Sequence, residues 1–234
     1  MKENRRLLEV FMTVLIFTAS FLVGRLGASI NTSGETSAVT AVVIDAGHGG
    51  MDGGKIGING EIEKEINLSI AQKLKSLLEQ QGIAVVMTRT DDNGLYEESI
   101  SNKKQQDMKR RCELINETEA ALVVSIHQNS YTEASVRGPQ VFYYKNSAAA
   151  KEIAVILQDA LNDLLEIEKP RACKANDSYY ILRKTERPTV IVECGFLSNP
   201  EEAELLSTES YQQKVAQAIS TGVLRFLGQM PETA

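Results

Sequence analysis

The chain has 234 residues, 43% of them hydrophobic and 24% charged, a composition that suits one sizeable globular domain and leaves little for a second. A formal charge of -6 argues against the broad basic surface that nucleic acid needs, so DNA and RNA are not expected partners. Three cysteines, Cys112, Cys173 and Cys194, neither make a disulfide framework nor stand at a C-x-x-C metal spacing. Cys112 falls in a helical pattern and Cys194 follows a strand, so both read as small apolar packing residues.

In residues 1–30, Lys2, Arg5 and Arg6 precede a mostly apolar run from Leu7 to Val23, the pattern of an export signal. Whether this segment is cleaved or kept as an N-terminal membrane anchor, the rest of the chain is expected outside the cytoplasmic membrane, because the positive residues stay inside. It would then be secreted or held on the outer face of that membrane. Residues 31–40, "NTSGETSAVT", read as a polar linker, and residues 41–230 as the functional domain.

Within that domain "AVVIDAG" (41–47) is a β-branched strand, and residues 62–82 form an amphipathic helix with Ile66, Ile70, Leu74 and Leu77 on one face and Gly82 as its stop. "IAVVMTRT" (83–90) is the next strand. A polar helix is expected from about Glu97 to Glu117, then the strand 121–129, the strand 138–145 and a helix over 147–165. "SYYILRKT" (178–185) and "TVIVECGF" (189–196) read as two further strands across the Glu186-Arg187-Pro188 turn. "NPEEAELLS", capped by Asn199, and "YQQKVAQAISTGVLRFLG" close the domain as helices. The alternation predicts the α/β class, a single layered domain with a mostly parallel, mixed central sheet flanked by helices.

"DAGHGGMDGG" (45–54) packs five glycines around His48, one of only two histidines. A dinucleotide fingerprint fails because Asp52 stands where its third glycine belongs. A phosphate loop fails as well, since Gly54 is followed by Lys55-Ile56 and the next helix starts near residue 62. The glycines instead permit unusual dihedrals and clear space around the imidazole. His127 alternates with Ser125 and Asn129 onto one face of a strand; it could be a buried histidine satisfied by a backbone carbonyl, or a metal ligand. Both histidines follow apolar strand runs, where open α/β sheets place their ligands.

Glu63 borders the buried face of its helix, three and seven residues before Ile66 and Ile70, and is either a favourable charge at a helix N-terminus or a cation ligand. Two imidazoles and one carboxylate form a catalytic zinc set with a fourth position open. Glu193 ends the apolar strand 189–192, where it is either ion-paired to Arg183 or Arg187 or functional.

The blocks "VVIDAGHGGMDGG", "GEIEKEINLSIAQKL", "VSIHQNS" and "PTVIVECGFLSNPEEAELL", in this order, resemble the signatures of the zinc-dependent N-acetylmuramoyl-L-alanine amidases of the type-3 amidase family, over residues 41–228. The resemblance implies a zinc amidase fold of exopeptidase-like layering, Zn2+ held by His48, Glu63 and His127, and Glu193 as the catalytic carboxylate. Ser125 and Asn129 are candidates to support these groups or bind substrate. The implied substrate is peptidoglycan, its glycan strands and stem peptides, cut between the lactyl group of N-acetylmuramic acid and L-alanine.

"SIHQNS" and "VECGFLSNPEE" are similar to the spore-cortex, germination-specific members, which implies the first step towards muramic-δ-lactam and, as in some relatives, an exported lipoprotein partner. A vegetative wall amidase and a non-catalytic wall-binding relative are the alternatives; the latter usually lack a ligand or the base, and this chain has all four. Cys194 stands where many relatives carry threonine or another small residue. Only residues 128–137 separate the His127 strand from the next, too few for the inhibitory helix some relatives insert.

Overall fold

The computed structural model describes residues 41–229. The expected export segment and linker lie outside these residues. Twelve elements follow in order: β1 (Ala41–Ala46), α1 (Glu63–Gln80), β2 (Ala84–Met87), α2 (Lys103–Glu117), β3 (Ala120–Asn129), β4 (Gln140–Tyr144), α3 (Ala148–Leu164), β5 (Lys174–Asn176), α4 (Tyr180–Lys184), β6 (Thr189–Phe196), α5 (Pro200–Leu206) and α6 (Glu209–Phe226).

The six strands form one sheet in the order β2-β1-β3-β6-β4-β5. The strands β2, β1, β3 and β6 run parallel; β4 is antiparallel to β6, and β5 parallel to β4. Parallel strands covered on both faces must be apolar on both, hence the unbroken Val42-Val43-Ile44 and Val190-Ile191-Val192 runs, all buried. The chain leaves β1 towards β2 on one side and returns to β3 on the other, so the order reverses between β1 and β3. Outside the carboxyl ends of such strands a crevice opens. His48 follows β1, and His127 lies near the end of β3.

On one face Ile70, Leu74 and Leu78 of α1, Ile153, Leu157 and Leu161 of α3, and Val215, Ile219 and Val223 of α6 build the larger core. A Cβ on Gly222 would lie 2.7 Å from Leu157 Cδ2 and 3.2 Å from its Cα, so the bare residue sets how closely α3 and α6 approach. On the other face Val43, Val123 and Ile191 meet Cys112 and Ile115 of α2 and Ile181 and Leu182 of α4. Cys112 and Cys194 are both buried, as apolar packing requires.

Two expectations are corrected. The polar helix starts at Lys103 rather than near Glu97, capped by Asn102, whose side chain accepts from Gln105 N–H. Ahead of it the loop is held to the helix, with Leu95 N–H donating to Asp107 and Glu97 N–H to Gln106. Residues 178–185 are not a strand: α4 is a short helix, and the strand of this region is β5. The Asn176 side chain accepts from Ser178 N–H and Tyr179 N–H and turns the chain out of the sheet. Ile181 and Leu182 are then buried together on one side, which the alternation of a strand forbids.

Leu157→Ala removes a fully buried side chain from the contact between α3 and α6. Urea denaturation followed by circular dichroism should show a loss of roughly 2–5 kcal/mol of unfolding free energy. A loss below about 1 kcal/mol would mean that this core can collapse around the cavity.

Candidate active site

His48 adopts φ 62, a left-handed conformation rare outside glycine, and Gly49 and Gly50 follow with φ 138 and 56. The curl swings the imidazole back over the carboxyl end of β1. A Cβ on Gly47 would lie 2.3 Å from His127 Cε1, and one on Gly54 would lie 2.5 Å from Glu63 Oε2 and 2.8 Å from His48 Cδ2. These two glycines are therefore bare because the imidazoles and the Glu63 carboxylate occupy the space of their side chains. The expected role of the glycines, clearing room for an imidazole, is what the geometry displays.

Three side chains meet at one point. His48 Nε2 lies 3.2 Å and His127 Nδ1 3.1 Å from the same oxygen, Glu63 Oε1. The two rings stand edge to face with centroids 5.0 Å apart. One donor atom from each of the three residues lies within 4.8 Å of the others, an arrangement that can hold a metal ion. His127 is satisfied by Glu63 rather than by a backbone carbonyl.

Glu63 is only 2% exposed. Its Oε1 also accepts from Gln128 N–H at 3.1 Å and Asn67 Nδ2 at 3.4 Å, and its Oε2 accepts from Lys55 N–H at 2.7 Å. Burial alone would raise the carboxyl, but the His127 and His48 hydrogen bonds override it and hold Glu63 well below the usual carboxylate range. For His127, burial would depress the imidazole, and the Glu63 hydrogen bond with the nearby carboxylates raises it instead. His48 uses its other nitrogen, Nδ1, against Asp52 Oδ2 at 3.0 Å, and Asp52 in turn meets Lys104 at 2.9 Å.

Glu193 stands in register with His127 across the parallel β3–β6 pair. Its Oε2 is buried with no hydrogen-bond partner, and neither Arg183 nor Arg187 reaches it. Burial is the main cause that pushes this carboxyl up to about 7, against the pull of His127 and with a push from Glu63. Burial followed by the proximity of Glu193 pushes Tyr179 up to about 12. A cleft of about 500 Å³ opens over these groups, lined by His48, Glu63, His127, Glu193, Asn129 and Tyr179 among others.

The structure divides the two weaker candidates. Ser125 is fully buried, donates to Asp45 Oδ2 at 2.6 Å and does not line the cleft, so it supports the strand ends. Asn129 lines the cleft, with its Oδ1 occupied by Ser130 N–H. Sequence reasoning missed Asp52 and Tyr179. The spacing of Asp52, four residues after His48 inside the glycine-rich stretch, was the available signal; for Tyr179 there was none, because its run was read as a strand.

The chain matches the model of the family described as N-acetylmuramoyl-L-alanine amidase (Amidase_3) over residues 42–225. It is 39% identical over 197 residues to the germination-specific N-acetylmuramoyl-L-alanine amidase of Bacillus subtilis (strain 168), covering 82% of each chain. Among solved structures it is similar to the CwlD amidase from Clostridioides difficile in complex with the GerS lipoprotein, with a TM-score of 0.79 and 38% identity, covering 81% of this chain and 98% of that one. The catalytic domain of CwlV, an N-acetylmuramoyl-L-alanine amidase from Bacillus (Paenibacillus) polymyxa var. colistinus, matches with a TM-score of 0.72 and 32% identity over 82% of this chain and 99% of that one.

In the folded chain Glu193 keeps its proton up to about pH 7, whereas in the unfolded chain it ionises near the ordinary 4.5. Between those values the folded state binds more protons, so this group's contribution to stability is full below the lower value and falls as pH rises towards the upper one. With a chelator present, wild type should lose roughly 3 kcal/mol more than Glu193→Gln across this window. Equal slopes in the two proteins would show that the carboxyl is not held neutral.

Proposed function

The chain belongs to the N-acetylmuramoyl-L-alanine amidase family, and from that premise we propose that it is a zinc enzyme in which His48, Glu63 and His127 hold the ion and Glu193 moves the protons. The observation that carries this reading is the meeting of both histidines on one oxygen of a buried carboxylate, with one of them, His127, in register with a second carboxyl, Glu193. The donor set fits zinc: two imidazole nitrogens and one carboxylate oxygen, close enough to share an ion, with the cleft on the remaining side. His48 would bind through Nε2, the nitrogen that faces Glu63, while Asp52 holds Nδ1 and with it the tautomer and ring orientation.

The bond attacked is the amide between the lactyl group of N-acetylmuramic acid and the L-alanine of the stem peptide, which is unactivated. Bound zinc supplies Lewis acidity, polarising the carbonyl and making a water molecule more acidic. Glu193 accepts the water proton at its carboxylate and gives it to the departing alanine nitrogen. A carboxyl whose proton affinity lies near neutrality suits both transfers, since it is neither too weak a base for the first nor too weak an acid for the second. We assign Asn129, which lines the cleft, to orienting the peptide.

We place the reaction outside the cytoplasmic membrane, with residues 1–30 as export signal or anchor, and in the spore cortex, as the first step towards muramic-δ-lactam needed for germination. The germination-specific relative supports the cortex, and the lipoprotein complex of the similar Clostridioides difficile amidase supports an exported lipoprotein partner.

Purified protein incubated with zinc and cortex or vegetative sacculi should release stem peptides with a free L-alanine amino terminus and leave intact glycan, by mass spectrometry. Altered peptide ends or released acetate would point to a peptidase or a deacetylase instead. Glu193→Ala should keep its zinc while the rate falls by about 100- to 10,000-fold; retained hydrolysis removes Glu193 from the mechanism. His48→Ala and His127→Ala should lose zinc by emission spectroscopy, and a normal metal content would refute the ligand set.

A further inference from the structure

Two buried arginines lie directly beneath the His48 loop. Arg111 of α2 is 1% exposed and Arg89, just after β2, is 4% exposed. Arg111 Nη1 donates to Ala46 O at 2.7 Å and to Asp45 Oδ1 at 2.8 Å, Nη2 donates to His48 O at 2.5 Å, and Nε donates to Asp107 Oδ2 at 2.6 Å. Arg89 Nε donates to Ala46 O at 2.9 Å, and its Nη2 to Gly47 O at 3.0 Å and to Lys64 O at 2.7 Å; Nη1 takes Asp91 O. The carbonyls of three consecutive residues, 46, 47 and 48, thus all point into guanidinium groups.

That arrangement is not a relaxed one for the backbone. Turning successive carbonyls to the same side goes with the left-handed conformation of His48, which is unfavourable for a residue with a side chain. The charged donors offset this cost, since hydrogen bonds from charged groups are roughly twice as strong as neutral ones. Through Lys64 O the same Arg89 guanidinium also grips the first turn of α1, the turn that carries Glu63. One side chain therefore spans the loop of His48 and the helix of Glu63.

We propose that Arg111 and Arg89 are positioning residues of the metal site, a carbonyl clamp that holds His48 and Glu63 in their ligating arrangement before the ion arrives. This rests on the assignment of His48, Glu63 and His127 as ligands. It departs from an ordinary buried ion pair in one respect: Arg89 forms no ion pair among the described residues and spends its donors on carbonyls alone. A lysine could keep the charge, but its single ammonium cannot reproduce a fork that reaches acceptors on β1, the loop and α1 at once.

The test separates the carbonyl clamp from fold stability. Full-length Arg89→Lys and Arg111→Lys should bind zinc about 10- to 100-fold more weakly, read by competition with a chromophoric chelator. Asp45→Asn leaves the Arg111 guanidinium on the carbonyls and on Asp107 while removing one of its two anionic partners, so it should lower the melting temperature of the zinc-free protein and leave the zinc dissociation constant within about threefold of wild type. Where Arg111→Lys fails to fold, Arg89→Lys carries the comparison, because it strands no carboxylate. Wild-type zinc affinity in Arg89→Lys overturns the clamp, and so does an equal loss of affinity in Asp45→Asn. Zinc retained by His48→Ala would overturn the ligand assignment itself, a result distinct from either.

Discussion

Glu63 is an ionised carboxylate taken out of water at the start of a helix whose other buried residues are mostly apolar, and the rest of the site is a response to that burial. An isolated charge there would be costly, so every element around it contributes a donor. His48 comes from the loop after β1, His127 and Gln128 N–H from β3, Asn67 from the next turn of α1, and Lys55 N–H from the glycine-rich loop. Four of them, His48, His127, Gln128 N–H and Asn67, crowd one oxygen, Oε1, while Lys55 N–H takes Oε2. A metal ion between Glu63 and the imidazoles would relieve the crowding and let each ring offer a lone pair instead of a proton.

The same neighbourhood gives two carboxyls opposite characters. Glu63 is surrounded by donors and stays ionised; Glu193, on the neighbouring strand, is buried with a bare oxygen and is pushed towards the protonated form. Environments that drive a pair of acids apart are how one site both binds a cation and transfers protons near neutral pH. Beneath them lies a third carboxyl, Asp45, held down at about 2 despite its burial, by Arg111 first and then by the Ser125 hydroxyl. It anchors the arginine at the wall of the same cleft.

Much of this was legible in the sequence. β1, β3 and β6 declared themselves as unbroken apolar runs, α1 by its period, and His48, His127, Glu63 and Glu193 by being polar groups at the ends or edges of apolar runs. The misreadings have a common physical origin, which is that local pattern does not record what a distant element supplies. Arg111 sits in "MKRRCEL", which reads as a solvated helical face, and only the tertiary fold reveals that Asp45 and the carbonyls of Ala46 and His48 wait for a guanidinium on that side. Tyr179 and Tyr180 carry strand-like residue types, but the Asn176 turn precedes them and their neighbours Ile181 and Leu182 need the same core.

Topology decides why these residues and no others could meet. The reversal of strand order between β1 and β3 opens one crevice in the sheet, and the parallel alignment of β1, β3 and β6 brings their carboxyl ends to a single edge. His48, His127 and Glu193 are thus delivered by the sheet, two of them in direct register. Glu63 is carried by a helix rather than by a strand. It comes from the first turn of the crossover helix that follows β1, where a helix N-terminus also favours its charge. The glycine-rich loop joins β1 to that helix. The two buried arginines sit at that junction, which is where a site assembled from a strand end, a loop and a helix start most needs to be fixed.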